Sequence, residues 1–65
     1  MSQQAYLRDA MERLHMEPEA MALRLGTTRS RFERWLLPSD DPHFLDMDEV
    51  VWKFVREIVD REETR

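Results

Sequence analysis

The chain has 65 residues and no cysteine, and its 14 acidic residues outnumber ten lysines and arginines to give a formal net charge of −4. A chain of this size buries only about 60% of its unfolded surface, so we expect one small domain spanning residues 1–65. The lack of cysteine excludes a disulfide framework and a thiolate metal site. With no secretory signal and no apolar run near the roughly 20 residues of a membrane span, we expect a cytoplasmic protein without membrane contact.

The first predicted element is a helix from about Gln3 to His15, with Ser2 as its N-cap. Its apolar residues recur at helical spacing on one face and are Leu7, Ala10, Met11 and Leu14. Residues 15–17 then link this helix to the next one.

Residues 18–37 predict two short helices joined by one tight turn. Pro18 fits the first turn of a helix, where its missing N–H would have had no partner. Gly26, the only glycine, can adopt the positive φ that ends a helix, and Thr28 can cap the helix that follows. That helix has a buried stripe formed by Phe32, Trp35 and Leu36. Such spacing is typical of a helix-turn-helix, which presents its second helix to the DNA major groove.

The basic residues are concentrated in this segment. Residues 22–37 carry a net charge of +3, although residues 1–21 carry −2 and residues 38–65 carry −5. The acidic rest of the chain weakens non-specific binding to DNA, so the affinity for DNA would depend more on contacts with the bases. The charge pattern therefore permits DNA binding without requiring it.

The outer face of the second helix of the motif supplies the candidate DNA contacts. These residues are Thr28, Arg29, Ser30, Arg31, Glu33 and Arg34. We assign Arg29 and Arg34 to guanine O6 and N7, where each bidentate contact discriminates by about 1–3 kcal/mol. Arg31 and Arg24 are assigned to phosphates, and a solvated helix face is the alternative for all four arginines. Glu33 either accepts from cytosine N4 or forms a salt bridge with Arg29, four residues earlier.

Two prolines, Pro38 and Pro42, stop this helix and make residues 38–42 a loop. The loop contains acidic residues and leads into Phe44 and Leu45. We expect these two apolar side chains to cover the open end of the core.

A final helix is predicted over residues 47–62, with Asp46 as its cap and Glu49 completing a capping box. Its apolar residues span about 200° of its circumference, although contact with one core needs only about 100°. We expect the domain core to be contacted by Val50, Phe54 and Ile58. We expect a second copy of the chain to be contacted by Trp52, Val55 and Val59. Two such helices across a two-fold axis would form an isologous dimer, and a wide contact arc within one monomer is the alternative.

The sequence resembles the Cro/repressor-type helix-turn-helix regulators of phages and mobile elements, and in particular the short anti-CRISPR-associated repressors. The residues that carry the resemblance are Leu7, Ala22, Leu25, Gly26, Thr28, Arg29, Ser30, Phe32, Arg34 and Trp35. It implies an all-α domain of about four helices that binds an inverted repeat of double-stranded DNA as a homodimer and represses its own operon. It also implies that residues 28–30, with Glu33 and Arg34 one turn further on, touch base edges.

Two features depart from that family. Many relatives open the second helix with a glutamine that binds phosphate, and this chain has Pro18 there. The loop at residues 38–44 also differs from the short connection of the larger repressors. The phosphate contact at Pro18 would have to come from backbone N–H groups of the helix.

Other classes of function find little support in the sequence. His15 and His43 are the only histidines and we assign neither to a metal site, so we expect no metal and no cofactor. No nucleophile–base pair or Gly-rich phosphate loop is present, so we expect neither an enzyme nor a small-molecule substrate. The competing hypothesis is a protein-interaction module, such as a small inhibitor or antitoxin. It would bind a larger protein through an acidic surface and the apolar final helix.

Overall fold

The computed structural model describes residues 2–63 and contains four helices, with no strand among those residues. The helices are α1 (Gln3–Leu14), α2 (Pro18–Leu25), α3 (Arg29–Trp35) and α4 (Glu49–Glu63). The all-α fold class is therefore confirmed. Residues 1, 64 and 65 of the predicted domain lie outside the described residues. None of the four helices is both long and apolar enough to cross a lipid bilayer.

Side-chain oxygens cap the first turns of α1 and α3. The Ser2 hydroxyl accepts a hydrogen bond from the N–H of Ala5 at 3.1 Å, and the Thr28 hydroxyl accepts one from the N–H of Arg31 at 3.1 Å. Both groups satisfy backbone donors that have no partner inside the helix. The two predicted caps are confirmed.

The first two helices end in the same way. Gly26 follows α2 with φ 72°, its N–H bonds to the carbonyl of Leu23, and the N–H of Thr27 bonds to that of Ala22. His15 follows α1 with φ 54° and takes part in the equivalent pair of bonds. This is the Schellman arrangement, in which a left-handed residue turns the chain away from the helix axis. The turn predicted at Gly26 is confirmed, and His15 adopts the same conformation without being glycine.

The core lies where the four helices meet. α2 packs mainly against α3, α1 packs against α4, and α4 also contacts α2. The buried residues that form one cluster are Leu7, Ala10, Met21, Ala22, Phe32, Trp35, Met47 and Val55. Phe32 is fully buried, and its ring meets that of Trp35 edge to face with centroids 6.2 Å apart. These two side chains anchor α3 from below.

α4 begins later than predicted, and the predicted cap at Asp46 is wrong. The helix starts at Glu49, and the carbonyl of Asp48 accepts from the N–H groups of Val51 and Trp52. The Asp48 carboxylate also lies 3.4 Å from the backbone nitrogen of Val50. The delay arises because Met47 is buried and its N–H bonds to a side chain of α1, which holds the chain out of the helix there.

α4 also faces the core with a different side than predicted. Val55 and Ile58 are buried, whereas Val50 is 72% exposed and Phe54 is 41% exposed. The expected core face was therefore right for Ile58 and wrong for Val50 and Phe54. The residues expected to meet a second copy all pack inward, Val55 inside the core and Trp52 and Val59 against it.

The cause is a contact between α4 and α1. The ring of Trp52 stacks on Tyr6 with centroids 4.6 Å apart, and the Tyr6 hydroxyl lies 3.4 Å from the Trp52 carbonyl oxygen. This contact turns the Trp52 side of α4 toward α1. The core consequently meets the middle of the apolar arc instead of one end of it.

Candidate nucleic-acid interface

The part of α3 and its N-cap that is not turned toward the core is exposed and carries the six residues that the sequence placed on the reading helix. The exposed residues are Thr28, Arg29, Ser30, Arg31, Glu33 and Arg34. At about 100° per residue, Ser30 lies near the middle of this face, with Glu33 and Arg34 on either side of it. Arg24 is exposed as well, in the last turn of α2. The structure therefore places five of the candidate residues on α3, with Thr28 as its N-cap and Arg24 on α2.

Arg29 and Glu33 form a salt bridge along this helix. The Arg29 Nε and the Glu33 Oε1 are 2.8 Å apart, and the two side chains are 61% and 54% exposed. Of the two roles predicted for Glu33, the salt bridge is present. An exposed pair at this spacing contributes only about 0.3–0.5 kcal/mol, so it can readily be exchanged for other partners. Because the bond uses Nε, it leaves both terminal nitrogens of Arg29 without a hydrogen bond to any described residue.

Arg34 is held by the loop that follows α3. We define the α3–α4 loop as residues 36–48. The Arg34 Nε donates to the carbonyl of His43 at 3.0 Å, and the Arg34 carbonyl accepts from the N–H of Leu45 at 3.2 Å. The sequence assigned Arg34 to a guanine, with a solvated helix face as the alternative, and did not predict that the loop holds this arginine through both its side chain and its backbone. As in Arg29, the anchored atom is Nε.

The α3–α4 loop is ordered by its own hydrogen bonds. The Asp41 carboxylate accepts from the N–H of His43 at 2.8 Å, and the Asp41 backbone bonds to Pro38 and Phe44. Leu45 packs against the core, as predicted for the residues after the prolines, and Phe44 is half-buried. These bonds form successive turns that fix the backbone around His43.

Arg31 occupies a different setting from the other two arginines. It lines a groove on the flank of α3 that also contains Asp46 and Asp48. Carboxylates in the same groove compete with phosphates for its guanidinium group. Arg31 therefore has carboxylates in its surroundings, as Arg29 has in Glu33.

Gln3 is a buried polar residue that the sequence did not single out. It is 8% exposed, its Nε2 donates to the carbonyls of Trp35 at 3.0 Å and Leu45 at 2.9 Å, and its Oε1 accepts from the N–H of Met47 at 2.8 Å. One amide thus joins the start of α1 to the end of α3 and to two points of the α3–α4 loop. The spacing could have revealed it, because Gln3 precedes Leu7 by four residues and so lies on the buried face of α1.

A second polar cluster joins the far ends of α1 and α4. Arg13 bonds to Glu63 at 2.6 Å and to Asp9 at 2.8 Å. The hydrogen bond that Arg13 donates to Glu63, followed by the one that it donates to Asp9, raises the pKa of Arg13 above its usual value. In this cluster the single cation, Arg13, is paired with both carboxylates. Among residues 2–63, no three His, Asp or Glu side chains are grouped so that they could hold a metal ion.

No protein-family model, no curated protein and no solved structure matches this chain. The likeness to phage helix-turn-helix regulators thus rests on the residues named above. What the chain does must be inferred from those residues and their geometry.

Proposed function

We propose that this chain is a sequence-specific DNA-binding regulator of transcription, in which α2, the turn at Gly26 and α3 act as a helix-turn-helix. The observation that carries the proposal is the exposed arginine face of α3 above buried Phe32 and Trp35. It lies in the one segment with a positive net charge, +3, in a chain of −4. Because the acidic remainder is repelled by phosphates, contacts with DNA are concentrated at α3.

In this proposal α3 enters the major groove, which is wide enough for an α-helix. Arg29 and Arg34 contact guanine O6 and N7 through their terminal nitrogens, since Nε is already engaged in both. Thr28 keeps its hydroxyl proton while the oxygen caps the helix, so it can donate to a phosphate or a base edge. Ser30 lies between the arginines and can do the same.

We propose further that the DNA-binding unit is a homodimer on an inverted repeat. Two arginines supply about 2–6 kcal/mol of discrimination between base sequences, taking 1–3 kcal/mol for each. Specific binding typically exceeds non-specific binding by about 4–10 kcal/mol. Two copies on half-sites about one helical turn apart reach that range, and repression of the chain's own operon follows if the operator overlaps the promoter.

The second copy cannot bind through Val55, because that side chain is already inside the core. The exposed apolar residues of α4 are Val50 and Phe54. These two side chains, together with the exposed parts of half-buried Trp52 and Val59, fall short of the roughly 800 Å² per partner of a standard interface. We therefore expect the free protein to be largely monomeric at micromolar concentration and to form the dimer on its operator.

The test is selection of duplexes from a random pool, followed by binding measured by fluorescence anisotropy over a range of salt concentrations. We expect a symmetric consensus, an affinity that falls steeply with salt, and a loss of about 5- to 150-fold for Arg29→Ala or Arg34→Ala. Arg61→Ala on α4 is the matched control and should bind as the wild type does. Circular dichroism should show unchanged helix content in all three variants.

Two results would count against the proposal. Unchanged affinity in both arginine variants would remove the assignment of α3 to the major groove. Failure to enrich any duplex, even at low salt, would favour the protein-interaction module, whose binding surface would include the exposed side chains of α4.

A further inference from the structure

We propose that Gln3 is a positioning residue for DNA recognition, acting through the α3–α4 loop to orient the guanidinium group of Arg34. The inference rests on the proposed DNA-binding function and extends it. Gln3 and the α3–α4 loop thus take part in DNA recognition, although neither of them touches a base.

The first step is the hold on Arg34. A free arginine side chain samples many rotamers, and fixing one of them before binding removes part of the cost of recognition. The bond from Nε to the His43 carbonyl, at 3.0 Å, restricts the plane of the guanidinium group. It leaves the two terminal nitrogens side by side, as an end-on contact with guanine requires.

The second step is the hold on His43. Its N–H is bound by the Asp41 carboxylate at 2.8 Å, and Leu45, two residues further on, bonds to the Arg34 carbonyl. The loop therefore meets Arg34 at two points. The position of the His43 carbonyl depends on where this short segment is fixed.

The third step is Gln3, whose Nε2 donates to the carbonyls of Trp35, next to Arg34, and of Leu45, two residues after His43. One amide nitrogen thus fixes the backbone on both sides of the contact between Arg34 and His43. The bond from the Met47 N–H to Oε1 sets the orientation of the amide, since a flipped amide would face two carbonyls with an acceptor. A carboxylate or an apolar side chain of the same length cannot make these three bonds.

Arg29 supplies an internal control. Its Nε is held by Glu33 on the same helix, with no contribution from the loop. Loss of the Gln3 bonds should therefore weaken the contact made by Arg34 and leave the contact made by Arg29 unchanged.

A double-mutant cycle tests the proposal, using Gln3→Met, Arg34→Ala and Arg29→Ala alone and in pairs. Affinity for the selected duplex is measured at one salt concentration, at a temperature where circular dichroism shows every variant folded. We expect Gln3→Met to weaken binding about three- to tenfold when Arg34 is present and to have no further effect in Arg34→Ala. In the Arg29→Ala background the full loss should remain.

Asp41→Ala gives a second route if Gln3→Met does not fold, because Asp41 lies outside the buried core. It removes the acceptor for the His43 N–H and should weaken binding only when Arg34 is present. Equal losses with and without Arg34, or no loss in a folded variant, would overturn the proposal. If duplex binding and the effect of Arg29→Ala persist in that case, the DNA-binding function stands and only the role of Gln3 falls. If the wild type binds no duplex at all, both are refuted.

Discussion

The two residues that end α1 and α2 adopt the same backbone conformation, although only one of them is glycine. His15 has φ 54° and ψ 43°, and Gly26 has φ 72° and ψ 29°. For a residue with a Cβ atom, the left-handed conformation costs roughly 1–2 kcal/mol. Glycine avoids this strain but raises the entropy of the unfolded chain, which offsets about 0.4–1 kcal/mol of the gain. We therefore expect His15→Gly to raise the free energy of unfolding by about 0.5–1 kcal/mol.

Gly26→Ala should lower the free energy of unfolding by a similar amount. A Cβ atom built on Gly26 meets no atom within 4 Å, so the loss would come from backbone strain and not from a clash. For a domain of this size, 1 kcal/mol corresponds to about 4–8 °C in Tm. Circular dichroism melts should therefore place the His15→Gly midpoint roughly 2–8 °C above the wild type and the Gly26→Ala midpoint below it.

His15→Ala is the matched control, because it removes the imidazole and keeps the strained conformation. Its midpoint should stay near that of the wild type. If His15→Gly melts below His15→Ala, backbone strain is not what sets the stability of this turn. The reasoning for both helix ends would then be wrong.

Two further predictions concern α4 and its contact with α1. Val55→Asp should lower the free energy of unfolding by about 3 kcal/mol or more, because it places a charge in the core, whereas Val50→Asp should change it by less than about 0.5 kcal/mol. Urea titrations with the opposite ranking would contradict the observed orientation of α4. Burial raises the pKa of Tyr6 above its usual 10.0, with the Arg56 cation opposing the shift. The stability that comes from keeping Tyr6 protonated is present below pH 10 and is lost as the pH rises through the raised pKa. The Tm of Tyr6→Phe should therefore fall less above pH 10 than the Tm of the wild type.

Much of the first half of the fold could be predicted from local signals. Ser2, Pro18, Gly26 and Thr28 each mark a helix end through a backbone requirement of their own. Such requirements act within one turn of the chain and do not depend on what packs above. The starts of α1, α2 and α3 and the end of α2 therefore followed from the residues alone, whereas α1 ends at Leu14 and α3 at Trp35, one and two residues earlier than predicted.

The orientation of α4 could not be predicted in the same way. Its apolar residues cover about half of the helix, so the sequence allowed several directions for the inward face. The inward face of α4 is set by Tyr6 on α1, whose ring stacks on that of Trp52 on α4. The two residues are 46 positions apart in the sequence. The start of α4 was misplaced for a related reason, because burial of Met47 overrode the local preference for a cap at Asp46.

The exposure of the candidate residues agrees with the sequence, but their hydrogen-bond partners were not all predicted. The outward position of Arg34 follows from helical periodicity once Phe32 is placed inside, whereas Arg29 precedes Phe32 by three residues and is exposed as the first residue of α3. Arg34 bonds to the backbone carbonyl of His43. Every residue type carries this carbonyl, so the amino-acid sequence does not indicate which one will accept the bond. Gln3 escaped notice because a glutamine in a first turn usually faces water.

The bonds of Gln3 have a consequence for the order in which the molecule assembles and opens. They connect residues separated by 32 to 44 positions, so they close long segments of chain and can form only after the helices have met. Breaking them removes the hydrogen bonds between this loop and α1, while the buried side chain of Met47 and the contact of Leu45 with the core remain. We expect amide hydrogen exchange to find this region among the least protected, which gives it a low-energy open state that a partner could capture or close.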